Sequence, residues 1–194
     1  MSVYPVFLDL GGRRCIVVGA GPVGRRKAEG LFEAGAIVTV VDPSAAARDA
    51  MAATASTVRH GVELVGRAFE DEDVEGAILV FACTGEPAVD AAVLAAAAER
   101  GILACDAGGT TRAAPGPDPD ANDRPATKFS SGAVFRRGDL CVAVSTGGAA
   151  PAVAAEIRDR IAGALQAETQ DVNADDLRAR RDDAFRRMQA RHRR

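Results

Sequence analysis

The sequence predicts an α/β fold: a Rossmann-type doubly wound parallel sheet, followed by a small β-hairpin dimerisation region and a C-terminal helical region. Three observations carry that reading. Short β-branched runs alternate with Ala-rich stretches through the first hundred residues, which signals parallel βαβ units. The first run, Cys15–Val18, leads into Gly19-Ala20-Gly21-Pro22-Val23-Gly24. The alternation then stops at 107–128, which holds four of the nine prolines, a density that neither a helix nor a central strand tolerates.

Taken in order, the expected strands are Arg14–Val18, Ile37–Val41, Glu63–Val65, Ala77–Ala82 and Ile102–Cys105. The Ala, Leu, Glu and Arg content between them predicts helices over 22–34, 44–55 and 86–100. Phe129–Val134 and Leu140–Val144 bracket Arg136-Arg137-Gly138-Asp139, a hairpin signal. Val153, Ile157 and Ile161 recur every four residues, and Leu177, Ala184, Phe185 and Met188 share one helical face, so helices follow. The predicted domains are 1–108 for nucleotide binding, 109–148 for the loop and hairpin, and 149–194 for the helices and a basic tail. The second part is too small and too thinly apolar to stand alone, which suggests pairing with a second copy.

Composition narrows the function classes. The chain has 194 residues, 47% of them apolar, and a formal net charge of −3, which favours neither nucleic acid nor an anionic membrane as partner. Residues 171–194 carry eight Arg against five Asp, yet aromatic residues barely interleave with the arginines. No apolar run approaches the roughly 20 residues needed to span a bilayer. The N-terminus lacks the pattern of a secretory signal. Cysteines 15, 83, 105 and 141 form no CxxC pair and read as reduced, buried thiols, so a cytoplasmic setting and no metal site are expected. The two histidines, His60 and His192, sit in a turn and in the basic tail.

The glycine motif is the dinucleotide fingerprint in its proper context. Gly19 permits the tight turn, Gly21 lets backbone approach a pyrophosphate, and Gly24 lets the helix press on the sheet; Pro22 and Val23 complete the loop. Asp42 ends the next strand, 18 residues beyond Gly24. A carboxylate there accepts from ribose hydroxyls and repels a 2′-phosphate, which favours NAD over NADP; a turn role before Pro43 is the alternative. Thr84 and Gly85, at the end of the fourth strand, stand where a cofactor is lined.

Four segments, in order, resemble precorrin-2 dehydrogenases. They are Tyr4-Pro5-Val6-Phe7-Leu8-Asp9-Leu10; Cys15 through Ala28; Leu31-Phe32-Glu33-Ala34-Gly35-Ala36; and Arg136-Arg137-Gly138-Asp139-Leu140 running on to Val144-Ser145-Thr146-Gly147-Gly148. The resemblance spans about residues 3–165 and implies an NAD-dependent oxidation of precorrin-2 to sirohydrochlorin in siroheme biosynthesis. It also implies a homodimer with sites near the interface. Some members of the family insert ferrous iron as well.

The sequence departs from the family at its Asn-x-x-Asp element. An ungapped match puts Cys105 at the Asn and Gly108 at the Asp. Asp106 lies two residues away and is the candidate proton relay at a strand's carboxyl end. Counting back from the hairpin brings Asn122-Asp123 to the same place, with Asp118 and Asp120 as weaker rivals. The iron-inserting activity is left in doubt by this displacement. Substrate carboxylates call for cations and donors: Arg112, Arg124, Lys128, Arg136 and Arg137 in the loop and hairpin, and Ser145, Thr146, Gly147 and Gly148 at an expected helix start. Two other readings remain open, an NAD-sensing regulatory module and a dehydrogenase of an unrelated small anion.

Overall fold

The structure, a computed structural model, describes residues 4–54, 62–107, 129–138, 140–147 and 149–168. Arg112, Asp118, Asp120, Asp123, Arg124, Lys128, Gly148, His60, His192 and the expected helix around Leu177–Met188 lie outside the described residues.

Five strands, β1 (Arg14–Val18), β2 (Ile37–Val41), β3 (Val62–Val65), β4 (Leu79–Ala82) and β5 (Leu103–Asp106), form one sheet in the order β3-β2-β1-β4-β5. All neighbours are parallel, with Val18 opposite both Val41 and Ala82. This is the doubly wound arrangement predicted from sequence. The chain steps outward from β1 in one direction, then returns to β1's other side at β4. The switch point therefore lies between the carboxyl ends of β1 and β4.

Helices α1 (Pro22–Glu33), α2 (Ala45–Thr54) and α3 (Pro87–Glu99) connect the strands. Alternation along the strands divides the core. Cys15, Val17, Val38, Val40, Phe81, Cys83 and Cys105 pack on one face with Ala28 and Leu31 of α1 and Met51 of α2. Ile16, Val18, Val80 and Ala104 pack on the other with Val93, Ala96 and Ala97 of α3. The strands are apolar on both faces because helices cover both. Small residues on α1 and α3 let those helices lie close to the sheet, which explains how a chain with 4% aromatic residues fills its core.

Boundaries in the parallel sheet and its helices differ from the sequence expectation by one or two residues, whereas the first hairpin strand, expected at Phe129–Val134, lies at Ala133–Arg137. The fourth strand starts at Leu79 instead of Ala77, because the Ala77 N–H closes a turn onto the Val74 carbonyl (3.1 Å). That turn belongs to a 3-10 helix, Asp71–Val74, which the sequence reading missed. Asp73 there accepts two hydrogen bonds from the Arg67 guanidinium, at 2.6 and 2.8 Å, and one from the Glu70 N–H at 2.9 Å. Burial alone would raise the Asp73 pKa, but these donors together hold it below the ordinary value.

Contacts divide the molecule into two units, one holding Pro5–Phe129 and one holding Tyr4 with the chain from Ser130 onward. In the second unit β6 (Ala133–Arg137) and β7 (Leu140–Val144) form the antiparallel hairpin, turning at Gly138 with φ 54°. Helix α4 (Pro151–Glu168) packs on the hairpin. Arg137 donates to the Leu165 carbonyl near the C-terminal end of α4 (2.7 Å), a favourable place for a cation.

Candidate functional site

The glycine loop crosses the switch point. Gly19 leaves β1 at φ 104°, and a Cβ on it would lie 2.6 Å from the Cys83 carbonyl oxygen and 2.9 Å from the Thr84 nitrogen. Its N–H donates to the Val41 carbonyl at 2.8 Å. A Cβ on Gly24 would lie 1.8 Å from the Gly19 carbonyl oxygen, so the first turn of α1 sits directly on the loop. Gly21 is different. It caps α1 with φ −64° and ψ −178°, and a Cβ there would meet nothing within 4 Å.

The Arg25 N–H is the first to bond back into the loop, to the Gly21 carbonyl at 2.9 Å. Pro22 has no N–H, which leaves the amides of Val23 and Gly24 at the helix start, ahead of the first i→i−4 bond. Open space beside a positive helix terminus, with no Cβ in the way, fits a pyrophosphate.

Asp42 stands at the end of β2. Its Oδ2 accepts from the Ala20 N–H of the glycine loop (2.6 Å) and its Oδ1 from the Ser44 N–H (2.7 Å). The carboxylate thus makes a turn and ties that turn to the loop. Each oxygen keeps a second lone pair, so ribose hydroxyls can still donate to it. The Asp42 carbonyl accepts from Arg48 Nη1 at 2.5 Å.

At the end of β4, Thr84 is fixed by Asp90 of α3, whose side chain is fully buried. Asp90 Oδ1 accepts from the Thr84 hydroxyl (2.7 Å) and the Thr84 N–H (3.1 Å). Thr84 Oγ1 in turn accepts from the Glu86 N–H at 3.0 Å, and Gly85 turns the chain at φ 76°. Next door, burial pushes the Cys83 thiol up to about 12, against the opposing influence of Lys27; Cys105, Asp90 and Asp106 raise it further. These groups therefore lie close around Cys83. Lys27 Nζ sits 5.1 Å from the centre of the Phe81 ring, and Phe129 packs edge-on against the same ring. Asp106 closes β5 opposite Ala82, half-buried. Cys15 is likewise raised by burial, to about 11, so both thiols are protonated and unreactive at neutral pH.

Ser145, Thr146 and Gly147 fall in a turn ahead of α4, which starts only at Pro151, so the hydroxyls do not cap the helix directly. Ser145 Oγ accepts from the Gly147 N–H and Thr146 Oγ1 from the Ala150 N–H, each at 3.1 Å. Each hydroxyl then keeps its own O–H to donate. With Ser130, Ser131 and Gly132 they line a cavity of about 240 Å³. Gly132 is obligatory in that wall, since a Cβ there would lie 2.4 Å from the Val144 carbonyl oxygen. Arg136 is exposed on β6.

The fold and the loop define a dinucleotide-binding protein of the Rossmann type. The NAD(P)-binding family model matches residues 6–112, and the model of the sirohaem biosynthesis protein central region matches 137–164. The chain belongs to that NAD(P)-binding family and uses NAD, and its segment 137–164 is of the sirohaem biosynthesis type.

A siroheme synthase of Methylococcus capsulatus is 38% identical over 165 residues, covering 83% of this chain and 30% of its own length. One from Chromobacterium violaceum is 35% identical over 167 residues, 86% of this chain and 32% of its own. The chain thus spans about a third of the curated relatives it matches. Among solved structures, SirC, a precorrin-2 dehydrogenase, superposes with a TM-score of 0.58 at 25% identity over 83% of this chain and 70% of that one.

Sequence reading passed over three residues that the structure brings to the site: Asp90, Lys27 and Arg48. Asp90 had a signal, an acid in the first turn of an otherwise Ala-rich helix just after Thr84. Lys27 and Arg48 had none beyond helical spacing from the glycine loop and from Asp42. Among the described residues no three His, Cys, Asp or Glu side chains converge on a metal position, and no helix is long and apolar enough to cross a membrane.

Proposed function

We propose that the chain oxidises precorrin-2 to sirohydrochlorin with NAD, as a cytoplasmic homodimer without nucleic-acid or membrane partners. One observation carries the reading: an open glycine cradle at the switch point occurs in the same chain as a hairpin and helix matching the sirohaem biosynthesis family. The loop from Gly19 to Gly24 and the Thr84–Gly85 turn hold the dinucleotide, with Asp42 on its adenosine ribose. When bound, NAD supplies the hydride acceptor. Asp106 accepts the proton that the tetrapyrrole loses with the hydride, a role supported by its location at the carboxyl end of β5, near Cys83 and the Thr84 turn.

The tetrapyrrole's acetate and propionate groups call for N–H and O–H donors. Ser145, Thr146, Gly147 and Gly148 supply such donors, and Arg112, Lys128 and Arg136 supply cations. The domain limits proposed are 1–108, 109–148 and 149–194.

The test is anaerobic turnover of enzymatically made precorrin-2 with NAD, read as NADH and as the sirohydrochlorin spectrum, with Asp106→Asn in parallel. Turnover in the wild type and its loss in D106N is the expected result. Turnover in both moves the relay to Asp123. NAD binding without turnover in either removes the proposal.

A further inference from the structure

Arg25, Arg26 and Lys27 follow one another in α1, so the helix sends them in three different directions. Gly24, Ala28 and Leu31 form the buried stripe of that helix. Lys27 comes three residues after Gly24, on the border of the stripe, and is half-buried, whereas Arg26 is exposed. A lysine on such a border lays its apolar stem against the sheet and carries its charge to the rim. The Lys27 Nζ stands 5.1 Å from the centre of the Phe81 ring. Phe129 closes on the edge of the same ring, with the two centres 5.3 Å apart. The amine thus has a defined place over β4.

That place lies toward the carboxyl end of the strand, because the charge of Lys27 is felt by the Cys83 thiol just before the Thr84–Gly85 turn. On the proposed cofactor placement the dinucleotide runs from β2 across β1, and its nicotinamide falls at the ends of β4 and β5. Helix α1 packs on β1, β2 and β4, while α3 packs on β4 and β5 from the opposite face. On the α1 face, Phe81, Cys83 and Cys105 make a buried apolar floor, and Lys27 brings a cation to it. Among the described residues that act on Cys83, the charged groups besides Lys27 are both acids. Asp90 is committed to Thr84. Asp106 pairs with Ala82 and follows Ala104 by two residues, which puts it on the face that α3 covers. An ammonium has three donors, so one can serve a ligand while the others hold it in place. A ring offsets only part of the desolvation of a half-buried ammonium, and a carboxylate offsets much more.

We infer that Lys27 is a further substrate-binding residue, whose ammonium takes one carboxylate arm of the tetrapyrrole beside the nicotinamide end of the site. The inference rests on the proposed substrate and names the cation of the nucleotide-binding unit that receives it. The arm is held on the α1 side of β4, and the proton leaves toward Asp106 on the α3 side.

Equilibrium binding of sirohydrochlorin to the full chain, followed by absorbance, tests this without requiring turnover. Lys27→Met keeps an unbranched side chain against the Phe81 ring and removes the charge, and Lys27→Arg keeps both. NADH binding is measured beside it by nicotinamide fluorescence, which the absence of Trp leaves unobscured. A charge-assisted contact in a half-exposed position corresponds to about tenfold in affinity. K27M is expected to bind sirohydrochlorin about tenfold more weakly than wild type, with NADH affinity little changed, and the gap narrows at high salt. K27R stays near wild type. Four results overturn the inference: no sirohydrochlorin binding by wild type, unchanged affinity in K27M, equal weakening of sirohydrochlorin and NADH in K27M, or a loss in K27R as large as in K27M. Wild-type turnover with unchanged binding in K27M removes this inference alone. The expected binding pattern without turnover removes the proposed oxidation alone.

Discussion

Gly21 and Gly24 lie three residues apart in one loop, yet the structure predicts opposite consequences for replacing them with Ala. At Gly21 the backbone, φ −64° and ψ −178°, is one that alanine adopts freely, and the added Cβ meets no protein atom within 4 Å. Alanine is a poorer N-cap than glycine, but it also lowers the entropy of the unfolded chain by about 0.4–1 kcal/mol, and the two effects oppose each other. The net change in stability is expected to stay within about 0.5 kcal/mol, or about 2 °C in Tm for a chain of this size. On the proposed cofactor placement, that methyl group enters the space of the pyrophosphate. Forcing one methyl into a filled contact costs about 1–3 kcal/mol, which weakens NADH binding about tenfold or more. At Gly24 the Cβ would stand 1.8 Å from the Gly19 carbonyl, and backbone cannot yield as a side chain can. Gly24→Ala is therefore expected to lower Tm before any ligand is added. The assay is a pair of thermal melts, with and without NADH, beside a fluorescence titration for each variant. If G21A bound NADH as tightly as wild type, the pyrophosphate would not pass over Gly21, and the assignment of the loop would be refuted.

Two further outcomes follow from the polar contacts. Asp90→Ala removes the acceptor of both the Thr84 N–H and its hydroxyl and is expected to destabilise by about 2 kcal/mol in urea unfolding, with weaker NADH binding as the Thr84–Gly85 turn loosens. Asp73, held below its ordinary value of 3.8, contributes stability that is fully present above that pH and is lost as pH falls through the lower folded value. As pH falls below 3.8 the wild-type Tm should therefore fall, while Arg67→Met, starting lower, should fall less over the same window.

The parts of this molecule legible in its sequence are those that repeat a physical rule along the chain. β1 and β2 match their predicted limits because most of each strand is an apolar, buried run that the sequence marks plainly. The glycine spacing was readable for the same reason: Gly19 and Gly24 are forced by backbone contacts within the loop and with the end of β4. Residues brought together across the sheet were not readable. Asp42, Arg48 and Gly66 converge through three elements, and nothing local to Arg48 marks it as more than a solvated helix residue. The same holds for Lys27, whose neighbours Phe81 and Cys83 lie more than fifty positions away.

The sequence leaves Asp42 a choice between a turn residue and a ribose ligand. The turn is observed, and it leaves one lone pair on each oxygen for a ribose hydroxyl. The turn bond from Ser44 and the loop bond from Ala20 aim the carboxylate and hold it rigid, and rigidity is what lets a single carboxylate read the difference between a hydroxyl and a phosphate. An acid free to swing aside would discriminate poorly. Selectivity at this end of the proposed site thus rests on how firmly the Asp42 carboxylate is held.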